Sequence, residues 1–141
     1  MGCACIVIVL DTHIWLWWLH APEKLSPTAR SLIETLIDQR QSQNTLRVSV
    51  ISVWEIAVKV QLGKLSLPMD IYQWFEGAQR YPGVMIEPLT PLDAILSTQL
   101  PGSFHKDPAD RIIVSLARRY GIPLVTCDRN ILDYPHVETV W

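Results

Sequence analysis

The chain has little cysteine, little net charge and no long apolar run, and each shortage removes a class of protein. Three of its 141 residues are cysteines, Cys3, Cys5 and Cys127. A set that is odd, sparse and without a framework excludes a disulfide scaffold and favours a reducing compartment. Cys3 and Cys5 form C-x-C, but no second Cys or His pair at zinc spacing accompanies them, so they read as small apolar strand residues. No apolar stretch reaches the ~18 residues of a membrane span. The opening MGCACIVIVLD lacks a basic n-region and meets Asp11 too soon for a signal peptide, so a cytoplasmic location and no membrane association are expected. A formal net charge of −2 excludes a broad polybasic surface. If nucleic acid is the substrate, basic groups must act locally and a metal must help. A Gly-rich phosphate loop, an internal repeat and a low-complexity tract are all missing.

What is present is apolar and well punctuated. Hydrophobic residues make up 49% and charged ones 18%, a balance that folds rather than stays disordered. A length of 141 residues suits one domain with a real core, so a single domain over 1–141 is expected. Continuous apolar runs, Cys5 to Leu10, Arg47 to Ile51, Val84 to Leu89 and Pro123 to Cys127, predict strands covered on both faces. Val137 to Val140 is a candidate fifth. Between them lie helical segments: Thr12 to His20, a stretch opened by Ser26-Pro27, SVWEIAVKVQLGK with Ser52 as cap, Asp70 to Tyr81, Pro91 to Leu100, and Asp107 to Tyr120 stopped by Gly121. Strands alternating with helices predict an α/β fold with a parallel sheet of four to five strands and helices on both faces.

Four stretches carry a carboxylate where a strand ends or a helix begins: VLD at Asp11, SVWE at Glu55, DPAD at Asp107 and Asp110, and TCD at Asp128. In an open parallel sheet these places lie on one rim, outside the carboxyl ends of the strands. Taken singly, each acid is accounted for by capping and the helix dipole, with Ser52-x-x-Glu55 fitting a capping box. Taken together they repel one another unless a cation neutralises them, and capping alone does not require convergence. Carboxylate oxygens are the donors that Mg²⁺ and Mn²⁺ prefer, and such a cluster suits in-line phosphoryl displacement.

The ordered set LDTHIWLWWL, SVISVWEIAVKVQLGKL, FHKDPADRIIVSLARRYGIPLVTCD and the closing hydrophobic strand resembles the PIN-domain ribonucleases of the VapC toxin type, over essentially the whole chain. The resemblance implies a three-layer α/β/α fold and Mg²⁺- or Mn²⁺-dependent endonucleolytic cleavage of RNA. It implies a catalytic and metal-binding quartet of Asp11, Glu55, Asp110 and Asp128, with Asp11 and Asp110 holding the principal ion. Ser52 and Thr126 correspond to small hydroxyl residues near the site, and Asp107 is an N-cap first and a site member second. A cognate antitoxin protein and a homodimer are implied as partners.

Lys59, Lys106, Arg111 and Arg129 lie near the acids in sequence and read equally as RNA-phosphate contacts or as surface charges and acid partners, with Arg111 and Lys59 leaning to the acids. The loop residue His105 reads as a substrate contact or, more often for a lone loop histidine, as incidental, and no chemistry is assigned to His13. Trp15, Trp17 and Trp18 make the first helix apolar all round; its outer face is expected either against a partner or beneath the chain's own second helix. A haloacid-dehalogenase reading needs a second Asp two residues after Asp11, where His13 stands, and a receiver-domain reading lacks its acidic pair and terminal Lys. The alternative from a different class is a non-catalytic PIN-like module that binds RNA or protein.

Overall fold

The computed structural model describes residues 6–38 and 45–141. The expectations for Cys3 and Cys5 lie outside those residues. The chain forms strands β1 (Ile8–Leu10), β2 (Leu46–Ser49), β3 (Val84–Glu87), β4 (Leu124–Val125) and β5 (Thr139–Val140). All pair in parallel, in the order β3-β2-β1-β4-β5, with Val9 beside Leu124 and Ser49 beside Glu87. The helices are α1 (Thr12–His20), α2 (Pro27–Asp38), α3 (Val50–Gln61), α4 (Ile71–Gln79), α5 (Pro91–Ser97), α6 (Pro108–Tyr120) and α7 (Arg129–Leu132).

β1 shows why this is a three-layer α/β/α arrangement. Ile8, Val9 and Leu10 are all fully buried, yet successive strand side chains point to opposite faces. Ile8 and Leu10 pack with Trp15, Ile33, Leu36, Ile56 and Trp74 from α1 to α4. Val9 packs on the other face with Ile113, Val114, Leu116 and Ala117 of α6 and Ile131 of α7. Burying an Ile or Leu side chain fully is worth roughly 1.5–3 kcal/mol, so a one-residue slip of β1 loses both cores. Successive strands step from β1 out to β3 and then cross to β4, which puts the topological switch point between β1 and β4.

The strands are shorter than their apolar runs, because the parallel ladder ends where a cap begins. β3 stops at Glu87, before Pro88, which has no N–H for the ladder. The second strand ends at Ser49 rather than Ile51, since the Ser49 hydroxyl accepts the Ile51 amide (3.1 Å) and starts α3 there. Ser52 is therefore not the cap of α3. It lies inside the helix, fully buried, and Glu55 stands in the second turn rather than in a capping box. α6 follows its sequence signals: Asp107 accepts the Asp110 amide (3.1 Å), Pro108 opens the helix, and Gly121 closes it at φ +64°, the left-handed conformation that favours glycine. Tyr120, at the end of α6, is 43% exposed, its hydroxyl donating to Glu87. A helix not anticipated, α7, forms because the Asp128 carboxylate accepts the Asn130 amide (2.8 Å).

Trp15 is fully buried edge-on to Trp74 of α4, with ring centroids 5.1 Å apart. Trp17 lies near Trp141 and Trp18 near Tyr81. Trp15 is thus buried against α4, while Trp17 and Trp18 stay half-buried beside other aromatic residues of the chain. Among the described residues, no helix is long and apolar enough to cross a membrane.

Candidate metal and nuclease site

The site is built at the switch point. Asp11 follows β1 and Asp128 follows β4, while α3 and α6 deliver Glu55 and Asp110 from their first two turns. Three of the neighbouring acids, Asp11, Asp107 and Asp128, are helix N-caps. Capping and convergence are thus two results of one geometry. The helix N-termini that the caps serve aim their partial positive charge into the same rim.

A chain of hydroxyls fixes the carboxylates. Asp11 Oδ1 accepts the Thr12 amide and Oδ2 accepts the Thr126 hydroxyl, both at 2.8 Å. Thr126 Oγ1 in turn accepts the Asp128 amide (3.0 Å). On the α3 side the Thr12 hydroxyl donates to Glu55 Oε1 (2.7 Å) and lies 2.7 Å from Ser52 Oγ. A hydroxyl has one proton, so with Glu55 ionised Ser52 must be the donor to Thr12. Thr12, Ser52 and Thr126 are all buried. Ser52 and Thr126 were anticipated from the sequence. Thr12 was not, although its place directly after Asp11, at the first position of a helix, was a usable signal.

Among the described residues, the electrostatics are those of an acid cluster short of cations. Burial pushes the Asp110 carboxyl up to about 8, reinforced by the charges of Asp11, Asp107, Asp128 and Glu55. Burial likewise raises Asp11, against the hydrogen bonds from Thr126 and Thr12. It raises Glu55 against the Thr12 hydroxyl. His105 Nε2 lies 2.9 Å from Asp110 Oδ2 but is out of line for a hydrogen bond. That loop histidine was not assigned to the site from sequence, because nothing in its spacing ties it to Asp110.

The basic residues are less available than the sequence suggests. Arg111 is directed away from the acids: it donates to the carbonyls of Ser97 (2.8 Å), Phe104 (3.1 Å) and His105 (3.2 Å), and so holds the 101–107 loop. Lys59 stands one turn beyond Glu55, with Nζ 3.4 Å from His13 Nε2. Burial and the Lys59 charge lower His13. Lys106 is exposed, and Arg129 is exposed and 3.9 Å from Asp133.

Among the described residues, no three His, Cys, Asp or Glu side chains stand close enough to hold a metal ion between them as they are. Mg²⁺ is usually bound through one or two carboxylates and keeps several waters. The donors are hard oxygens, they share one rim, and their mutual repulsion is relieved by a cation.

The PIN domain family model matches residues 8–137. A ribonuclease, VapC22 of Mycobacterium tuberculosis, is 32% identical over 136 residues, covering 95% of this chain and 98% of that protein. The fold is shared with VapBC2 of Rickettsia felis bound to a DNA fragment from its promoter (TM-score 0.67, 16% identity, 96% of this chain and 98% of the other). It is also shared with a toxin–antitoxin complex from Klebsiella pneumoniae (TM-score 0.62, 15% identity, 95% and 96%). A parallel sheet that gathers acids at its switch point, a family match over nearly the whole length and a full-length ribonuclease relative lead to one assignment: the chain belongs to the PIN-domain family, among its VapC-type members.

Proposed function

We propose that this protein is a Mg²⁺- or Mn²⁺-dependent endoribonuclease, the toxin of a toxin–antitoxin pair. The observation that carries the reading is the convergence of Asp11, Glu55, Asp110 and Asp128 on one rim, with Asp110 pushed up to about 8 by burial and by its acidic neighbours. The VapC22 ribonuclease relative supports RNA as the substrate. The Klebsiella pneumoniae complex supports an antitoxin protein as partner. A homodimer in the cytoplasm completes the proposal, as the family resemblance and the sparse cysteines suggest.

Asp11 and Asp110 are the residues to hold the ion, with Glu55 and Asp128 completing the pocket. When bound, the ion lowers the pKa of a water and offsets charge gathering on the phosphoryl oxygens. The chain's own residues do the rest. Thr12 and Thr126 fix both oxygens of Asp11, so that its orientation does not have to be found at each turnover. Glu55, raised by burial and steadied by Thr12, is suited to accept the proton of the attacking water. The water oxygen bonds to phosphorus, the bond from phosphorus to the 3′-oxygen breaks, and the leaving oxygen takes a proton from solvent. The products are a 5′-phosphate and a 3′-hydroxyl.

The test is cleavage of single-stranded RNA by the parent protein and by Asp11→Asn, with Mg²⁺ or Mn²⁺ and with EDTA. Cleavage is expected only for the parent with metal, and a 5′-phosphate is expected on the products. A 2′,3′-cyclic phosphate, which signals attack by the RNA's own 2′-hydroxyl, contradicts the mechanism. Equal rates for parent and Asp11→Asn contradict the site.

A further inference from the structure

One position before Glu55 stands a side chain that the hydrolytic reading leaves unused. Trp54 is 59% exposed, on a helix whose inner face is buried. Ile51, one turn earlier, shares its side of α3. Across from them lie Pro108 and Ala109, in the first turn of α6, which packs against α3. These residues, with Glu55 and Asp107, line a cavity of about 390 Å³. That volume lies in the range of pockets that take one small molecule.

The chemistry of the lining limits the occupant. The walls are an indole and the apolar surfaces of Ile51, Pro108 and Ala109, and no cation is among them. Glu55 and Asp107 repel a phosphate. The slot therefore suits a flat, uncharged face. Glu55 belongs both to the slot and to the carboxylate rim, so whatever fills the slot lies beside the reacting phosphate. A nucleotide adjoining that phosphate brings such a face there by its own covalent tether.

We propose that the slot between α3 and α6 receives one nucleobase of single-stranded RNA, stacked on Trp54, next to the scissile phosphate. This rests on the nuclease reading above and adds to it a substrate-positioning residue. Trp54 touches the substrate base and takes no part in bond breaking. Stacking on an aromatic side chain tolerates sequence, so the slot sets register and affinity more than base identity.

The experiment is steady-state cleavage of a short, mixed-sequence, single-stranded oligoribonucleotide with Mg²⁺ or Mn²⁺, by the parent, Trp54→Ala and Trp54→Phe. Binding of the same RNA to Asp11→Asn and to Asp11→Asn/Trp54→Ala is measured alongside. Trp54→Ala is expected to raise KM and weaken binding about 5- to 150-fold with kcat nearly unchanged. Trp54→Phe keeps a stacking face and is expected to restore most of the loss. Replacing nucleotides one at a time with abasic residues around the mapped cleavage position should reveal one position. There the parent loses the same factor and Trp54→Ala loses nothing more. If the parent cleaves and Trp54→Ala matches it in KM and binding, the slot proposal is overturned while the nuclease reading stands. The same holds if Trp54→Ala changes only self-association in sedimentation. If the parent cleaves no RNA with either metal, the nuclease reading fails and takes this proposal with it.

Discussion

Two groups of buried carboxylates in this molecule live in opposite electrostatic worlds. At the rim, Asp11 is 6% exposed and Asp110 is partly buried, and the charges that bear on Asp110 are those of Asp11, Asp107, Asp128 and Glu55. On the flank between β3, α5 and α6, Glu87 and Asp93 are 3% and 2% exposed, and each has an arginine. Arg47 and the Tyr120 hydroxyl donate to Glu87. Arg119 grips Asp93 with two nitrogens, Nη2 at 3.1 Å from Oδ2, while Thr90 adds a hydroxyl at 2.9 Å. Burial pushes Asp93 up, but the hydrogen bonds from Arg119 and Thr90 outweigh it and the carboxyl ends below its ordinary value. Asp11, Glu55 and Asp110 at the rim end above theirs. Depth of burial is thus not what marks a site. The marker is burial without a compensating cation, because that arrangement costs stability and is retained only where something else gains.

The sharpest way to break this comparison is to neutralise one acid from each group. Asp110→Asn removes a carboxyl that its acidic neighbours and burial force to hold a proton. It is expected to lower RNA cleavage by more than about a hundredfold while raising the melting temperature of the metal-free protein. Loss of activity with loss of stability would make Asp110 a structural residue instead. Asp93→Asn should do the reverse. It leaves Arg119 without its partner and is expected to cost about 2 kcal/mol, held below the range for a fully buried pair because the Arg119 side chain is 24% exposed. Cleavage well below the new melting temperature should be nearly unchanged. Denaturant unfolding of the two variants beside their cleavage rates checks both.

A smaller effect sharpens the contrast through pH. The Asp110 carboxyl is raised in the folded state to about 8 from 3.8, so the folded protein holds a proton there that the unfolded chain releases. Its contribution to stability is fully present below about pH 4 and is lost as pH rises through about 8. Asp93 is lowered, so its contribution is present above its unfolded value and is lost as pH falls through its folded value. Metal-free protein is therefore expected to melt a few degrees lower at about pH 9 than at about pH 5, a trend that Asp110→Asn flattens. Added Mg²⁺ should offset the loss more at the higher pH, since proton and metal compete for the same oxygens. Thermal melts across pH, with Mg²⁺ and with EDTA, measure this.

The four principal acids were legible because each is punctuated locally. Asp11 and Asp128 end apolar runs, Asp110 follows Asp107-Pro108, and Glu55 stands just inside a helix. The parallel sheet was legible for the same reason, from strands with no polar face between amphipathic helices. The boundary at Ser49 was not. RVSVI has uniform strand character, and what stops it is a hydroxyl turning back on the Ile51 amide, a local bond that β-propensity does not report. The two-faced role of Thr12 was hidden because its partners Ser52 and Glu55 lie 40 and 43 residues away. Arg111 was misjudged for a similar reason: proximity to Asp110 in sequence does not show that the guanidinium turns to the end of α5 and the loop carbonyl of Phe104.

By itself the sequence determined the alternation of covered strands with helices, the caps of helices such as α6, and that carboxylates gather at the strand ends, because hydrophobic period and capping chemistry are local. Tertiary structure alone decided which acids meet a cation and which meet each other. That depends on the strand order, which brings β4 beside β1 and turns Arg47 and Arg119 toward the flank. Charge interactions fall with distance in space and not along the chain. The same residue type is accordingly tamed in one place and left reactive in the other.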